Sequence, residues 1–147
     1  MDGHAERATE KFLEGYNCAQ AVLYAFCEDL KLDPEVSLKL SCGFGAGMGK
    51  KQEVCGAVSG GIAVLGMKYG RGASDDKSLT ETTYTKTREL MDRFQNRHGS
   101  YICRQLLDNR DLMTEEGQKH IRENDLRNKT CTLCVQSVVD IVEHVMK

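Results

Sequence analysis

The stretch QEVCGAVSGGIAVLG, residues 52–66, decides the fold class. It is too apolar for a loop, and it carries glycines at 56, 60, 61 and 66, each costing about 1 kcal/mol relative to alanine inside a helix. No period-two alternation runs through it, and nowhere does a hairpin dipeptide separate alternating runs. The segment therefore reads as a helix from about Gln52 to Lys68, in which a packing gain offsets the glycines. Gly56-x-x-x-Gly60 puts two positions without side chains on one face, where another helix or a cofactor can approach closely. Cys55 stands immediately before that face.

Upstream, Ala5 to Leu30 reads as one or two helices interrupted near EGYN, with Asn17 as an N-cap, Cys18 opening the second helix, and Ala21, Val22, Ala25 and Phe26 as its core face. Asp33 and Pro34 begin a short helix that ends in the glycine-rich GFGAGMGK, residues 43–50. That stretch is a turn with close backbone approach. It fits neither a Walker A loop nor G-x-G-x-x-G, because Phe44 stands where Walker A needs glycine.

Downstream, a helix starts at Ser74 or Asp75, carries Leu79, Thr83, Thr87, Leu90, Met91 and Phe94 at helical spacing, and closes at Gly99. Ser100 caps a short helix with Cys103 in its first turn, and Thr114 to Glu123 reads as a solvated helix. Thr130 is the expected N-cap of a last helix whose stripe is Val135, Val138, Val139, Val142, Val145 and Met146. The prediction is an all-α chain, a compact bundle of five or six helices forming one domain over residues 1–147.

A net charge of −2 and a pI near 6.1 provide no general attraction to nucleic acid or an anionic membrane. The apolar run Val54–Met67 is shorter than the ~20 residues a membrane span requires. The start, MDGHAERATEKFLEGY, has acids where a secretory signal carries a basic end and an apolar segment, so the chain reads as cytoplasmic.

Seven cysteines are then expected as thiols, thiolates or ligands. Cys18, Cys55, Cys103 and the pair Cys131/Cys134 all fall at predicted helix starts, where free amides and the helix dipole favour the thiolate that binds metal or attacks disulfides. Cys27 and Cys42 lack that field and read as small core hydrophobes. Cys131-x-x-Cys134 suits a dithiol, zinc or an iron–sulfur cluster, although a thioredoxin-like βαβ context and a second C-x-x-C are both absent. His4, His98, His120 and His144 share no ligand spacing and read as surface residues.

In order along the chain, GYNCAQAVL (15–23), CGAVSGG (55–61), GSYICRQLL (99–107) and CTLCV (131–135) resemble the C_GCAxxG_C_C family, small redox-active bacterial proteins with four characteristic cysteines. The resemblance implies an iron–sulfur cluster, [2Fe–2S] or [4Fe–4S], on Cys18, Cys55, Cys103 and Cys134, with Cys131 a substitute or fifth thiol. Related sequences include a domain of split-Soret-type cytochromes, but C-x-x-C-H is absent, so no c-type haem is expected. The leading expectation is an electron-transfer protein working with a redox partner protein; a place as an oxidoreductase component and homodimer formation stay open. The alternatives are a cluster-free thiol–disulfide or zinc protein, and a structural module with buried thiols.

Overall fold

The computed structural model describes residues 3–147 as helices and connecting segments, and among these residues no strand forms. The helices are α1 (His4–Leu13), α2 (Cys18–Phe26), α3 (Pro34–Ser41), α4 (Gly56–Tyr69), α5 (Ser78–His98), α6 (Cys103–Leu106), α7 (Glu115–Glu123) and α8 (Thr132–Val145). The all-α expectation holds, but there are eight helices among the described residues rather than five or six. The break near Gly15–Asn17 and the short helix carrying Cys103 were both read from the sequence, and the count of five or six did not number them as separate helices. None of the helices is long and apolar enough to cross a membrane.

Caps explain most of the boundaries. Asn17 and Gln20 form a reciprocal capping box, in which Gln20 N–H donates to Asn17 Oδ1 at 2.9 Å and Asn17 N–H to Gln20 Oε1 at 3.0 Å. Asp33 caps α3 through Val36 N–H at 3.0 Å, and Thr114 caps α7 through Gly117 N–H at 3.0 Å. Gly99 ends α5 with φ 84°.

Four boundaries differ from the sequence reading. Ser100 is not the N-cap of α6: Ile102 is, without a side-chain cap, and Ser100 Oγ accepts from Ile102 N–H at 2.9 Å just before it. α4 starts at Gly56 rather than Gln52, because Gln52 has φ 58° and Val54 pairs with Ile102 in an isolated antiparallel bridge. α5 starts at Ser78: Asp75 closes a turn onto Gly72 N–H at 2.7 Å, and Asp76 accepts from Ser78 N–H at 2.8 Å. Thr130 is not an N-cap. It lies inside a π-turn, Arg127–Cys131, that runs directly into α8.

α4 is the central element, packed against α2, α5 and α8, while α1 lies on α2 and α8. Phe12, Leu23, Phe26, Leu65, Leu90, Phe94 and the valines of α8 at 135, 138, 139, 142 and 145 fill the space between them. Each such side chain contributes about 1.5–3 kcal/mol through burial. A smaller cluster, Cys103, Leu107 and Leu126 with Leu112 and Ile121, fills the opposite end.

His4 is buried, not on the surface. Its ring stacks on Phe26 with centroids 4.2 Å apart, and its nitrogens bond Asp29 at 2.5 Å and Glu143 at 2.6 Å, tying α1 to α8 and the end of α2. Single-residue spacing could not show this, since both carboxylates are distant in sequence. His98 is half-buried on Phe94 and bonds Ser137 Oγ at 2.8 Å, His120 bonds Asp108 at 3.0 Å, and His144 is exposed.

The α2–α4 contact rests on Gly60. A Cβ there would stand 2.7 Å from the carbonyl oxygen of Ala19 and 3.1 Å from its Cα, so the two backbones approach as only glycine allows. Gly60→Leu is expected to lower stability by about 2 kcal/mol or more, the scale of overpacking a core. Denaturant unfolding checks it: the midpoint falls at unchanged slope, and an unmoved midpoint would mean the contact carries no load.

Candidate functional site

Four separate pieces of chain bring cysteines to one cavity. The capping box starts α2 with Cys18 as its first residue. The bridge between Val54 and Ile102 sets two helix starts side by side: Cys55 N–H donates to Tyr101 O at 2.7 Å, and Cys103 N–H donates to Glu53 O at 2.6 Å. The π-turn sets the register of α8 and with it Cys131 and Cys134. π-Turns inside helices occur frequently at functional sites.

Gln52, buried at 2% exposure, braces this arrangement. Its Nε2 donates to Arg110 O at 2.7 Å and its Oε1 accepts from Leu112 N–H at 2.8 Å, so both ends of the amide are satisfied. Sequence reading passed over Gln52. Its partners lie some sixty residues away, and no local pattern marks them.

The cavity has a volume of about 240 Å³, well above the ~30 Å³ share of one water molecule. Cys18, Cys55, Cys103, Cys131 and Cys134 all line it, and Leu106, Leu107, Leu112 and Ile121 supply apolar wall. Two cations reach it, Lys50 and Arg127. Arg127 is fixed there by hydrogen bonds to Phe12 O at 2.9 Å and Tyr16 O at 3.3 Å, and by its place over the Phe12 ring, 3.9 Å from the centroid.

All seven cysteines are free thiols. Cys27 is buried as expected, but Cys42 is exposed. The inward face of α3 is taken by Ser37 and Ser41, whose hydroxyls bond Pro34 O at 2.7 Å and Ser37 O at 2.6 Å, and Cys42 falls one residue round from it. Of the glycines singled out in the sequence, Gly56 lines the cavity, where a Cβ would stand 3.1 Å from Phe44 O and 3.4 Å from Cys18 Cβ; Gly60 lies one turn further, against Ala19.

Hydrogen bonds sort the five thiols into two pairs and one single group. Cys134 donates to Cys55, which holds Cys55 below its usual value against the opposing effect of burial; the N–H groups of Val58 and Ala57 at the start of α4 add to this. The same bond, then burial, pushes Cys134 up. Cys18 likewise donates to Cys131, which is lowered first by that bond and further by Arg127, while Cys18 is raised by the bond and by burial. Cys103 has no thiol partner, and burial pushes it up to about 12.

The expected helix-start effect therefore operates at Cys55, the N-cap of α4. It does not govern Cys18, Cys103 or Cys134, where burial and thiol–thiol hydrogen bonds outweigh the dipole. Cys131 is lowered for a different reason, a donated hydrogen bond and a nearby guanidinium.

Residues 16–145 match a family described as "Putative redox-active protein (C_GCAxxG_C_C)". The chain belongs to the C_GCAxxG_C_C family. No curated protein and no solved structure matches the chain. The match takes in every cysteine of the cavity and the segment Cys55–Gly60 that begins α4 and packs on α2.

Among the described residues no three histidine, cysteine or acidic side chains stand close enough to share one metal ion. Four thiolates around a single zinc at about 2.3 Å would need sulfurs within ~4 Å of one another. A polynuclear cluster takes each thiolate on a different iron or splits them between two, so its ligands ring a wider space. Thiols on separate elements around an apolar cavity, with two cations beside it, are donors of the kind an iron–sulfur cluster would take.

Proposed function

We propose that the chain is a cytoplasmic electron-transfer protein that holds an iron–sulfur cluster in the five-cysteine cavity, with Cys18, Cys55, Cys103 and Cys134 as its ligands. The observation that carries this reading is the convergence of those four thiols, from four parts of the chain, on one cavity with room at its centre. A purely structural set of thiols has no need of that space. When bound, the cluster supplies a one-electron carrier.

The chain's own residues do the rest. Cys55 is already held below its usual value, and the Ala57 and Val58 N–H groups donate toward its sulfur, an arrangement that raises a cluster's potential. Leu106, Leu107, Leu112 and Ile121 limit water at the cavity wall, and Lys50 and Arg127 offset negative charge. Cys131, bonded to Cys18, is a fifth thiol beside the ligand set.

A second reading has its own observation. The thiol–thiol pairs Cys18–Cys131 and Cys55–Cys134 each set one cysteine as the partner of another, which suits a cluster-free dithiol that cycles by thiol–disulfide exchange. One determination separates the two. Protein purified without oxygen is expected to absorb visible light and to contain iron and acid-labile sulfide; colourless protein without either, forming a Cys55–Cys134 disulfide under mild oxidation, would replace the cluster reading with the dithiol one.

A further inference from the structure

Between Glu35 and Glu53 the chain contains no acid, yet it has three lysines, Lys39, Lys50 and Lys51, in a protein whose net charge is −2. All three are exposed. The same stretch exposes four large apolar side chains, Val36 at 49%, Leu40 at 57%, Phe44 at 36% and Met48 at 39%. The first three recur every four residues along the right-handed run of α3 and the 3₁₀ turn Cys42–Phe44, and so share one side of it.

After Gly45 the backbone changes hand. Ala46, Gly47, Met48, Gly49 and Lys50 have φ of 55°, 67°, 72°, 59° and 70°, a full left-handed turn. The three non-glycine residues stand there against the steric preference of an L side chain. The turn is held by Gly49 N–H to Gly43 O at 3.0 Å, Gln52 N–H to Ala46 O at 3.1 Å and Glu53 N–H to Gly47 O at 2.9 Å. Strain of this kind persists where the surroundings enforce it, and it concentrates at functional sites.

The inner side of this segment is cavity wall. Ala46 and Lys50 line the cavity with the cysteines, and the Phe44 carbonyl lies against Gly56. One short stretch therefore separates the thiols from an exposed surface that is both apolar and basic. We propose that this face, Val36, Leu40, Phe44 and Met48 with Lys39 and Lys51, is the docking surface for an acidic one-electron carrier protein.

The inference rests on the electron-transfer reading above. A small apolar centre with a charged rim is the form of a weak, fast electron-transfer encounter, in which complementary charge steers approach. A second copy of the chain fits poorly. A two-fold contact would set this basic face against itself, and like charges would oppose each other.

The test is fluorescence anisotropy of a labelled acidic plant-type ferredoxin, with basic cytochrome c as the paired probe. The ferredoxin is expected to bind, to weaken at least about tenfold between roughly 0.02 and 0.5 M salt, and to outcompete cytochrome c. Lys39→Glu/Lys51→Glu should lose at least about tenfold in affinity and Met48→Ser several-fold, with far-UV circular dichroism unchanged, while Lys77→Glu/Lys119→Glu binds as the parent does. Equal binding of both probes, full binding by Lys39→Glu/Lys51→Glu, a dimer in sedimentation that Met48→Ser dissolves, or binding to phosphatidylglycerol vesicles in place of ferredoxin would each overturn the proposal. Anisotropy needs no iron. Protein that contains no iron when purified without oxygen yet binds ferredoxin would refute the cluster and keep the face, whereas iron-loaded protein that ignores ferredoxin would refute the face alone.

Discussion

Serine in place of Cys18, Cys55, Cys103 or Cys134 is expected to remove most of the iron from protein purified without oxygen, while Cys27→Ser and Cys42→Ser keep it. The four lie on the cavity wall, and a serine hydroxyl is a far weaker ligand for iron than a thiolate. Cys27 is buried away from the cavity beside the Ser37 hydroxyl, and Cys42 is exposed, so serine at either leaves the ligand set whole. The measurement is iron per chain, with circular dichroism to confirm that each variant is folded. It also separates the two candidates for the fourth ligand. Cys131→Ser should retain iron where Cys134→Ser loses it, and the reverse pattern would exchange their roles. Equal iron in all seven variants would remove the assignment.

The second large effect is on alkylation. In reduced, metal-free protein near pH 7, Cys55 and Cys131 should react quickly with iodoacetamide and Cys103 slowly, because only the thiolate attacks. The sign follows from the hydrogen bonds. Cys55 and Cys131 are held below the usual value, whereas Cys103 is raised from 9.0 to about 12. Three units at Cys103 alone reduce its thiolate about a thousandfold. The greater nucleophilicity of a high-pKa thiolate recovers part of this, leaving a rate difference of at least roughly fiftyfold. Access does not decide the order of Cys55 and Cys103, which are 6% and 8% exposed. With the cluster in place all of them should be protected. Fast reaction in both preparations would favour the dithiol reading, and slow reaction in both would leave burial as the whole explanation.

Much of the site was legible because its parts are local. Asn17 and Gln20 form a capping box within one helical turn, so Cys18 could be placed at the start of α2 from its neighbours. Gly56 and Gly60 share a face through helix periodicity alone, and the close neighbour they admit is α2. Other parts depend on residues remote in sequence. Gln52 is anchored by Arg110 and Leu112, and His4 is held by Asp29 and Glu143. The left-handed turn at Ala46–Lys50 runs against the preference of three of its residues, so only the bonds around it explain it.

The all-α class, the elements that carry cysteine and the family were determined by the sequence itself, because caps, periodicity and motif order act over a few residues. Which cysteines are lowered and which are raised was decided by tertiary structure. The bridge at Val54–Ile102 and the π-turn before α8 bring Cys55 beside Cys103 and Cys134, and Cys18 beside Cys131. A thiol's proton affinity depends on burial and on the groups that hydrogen-bond its sulfur. For these five cysteines those groups come largely from other helices, and the chain's own order does not disclose them.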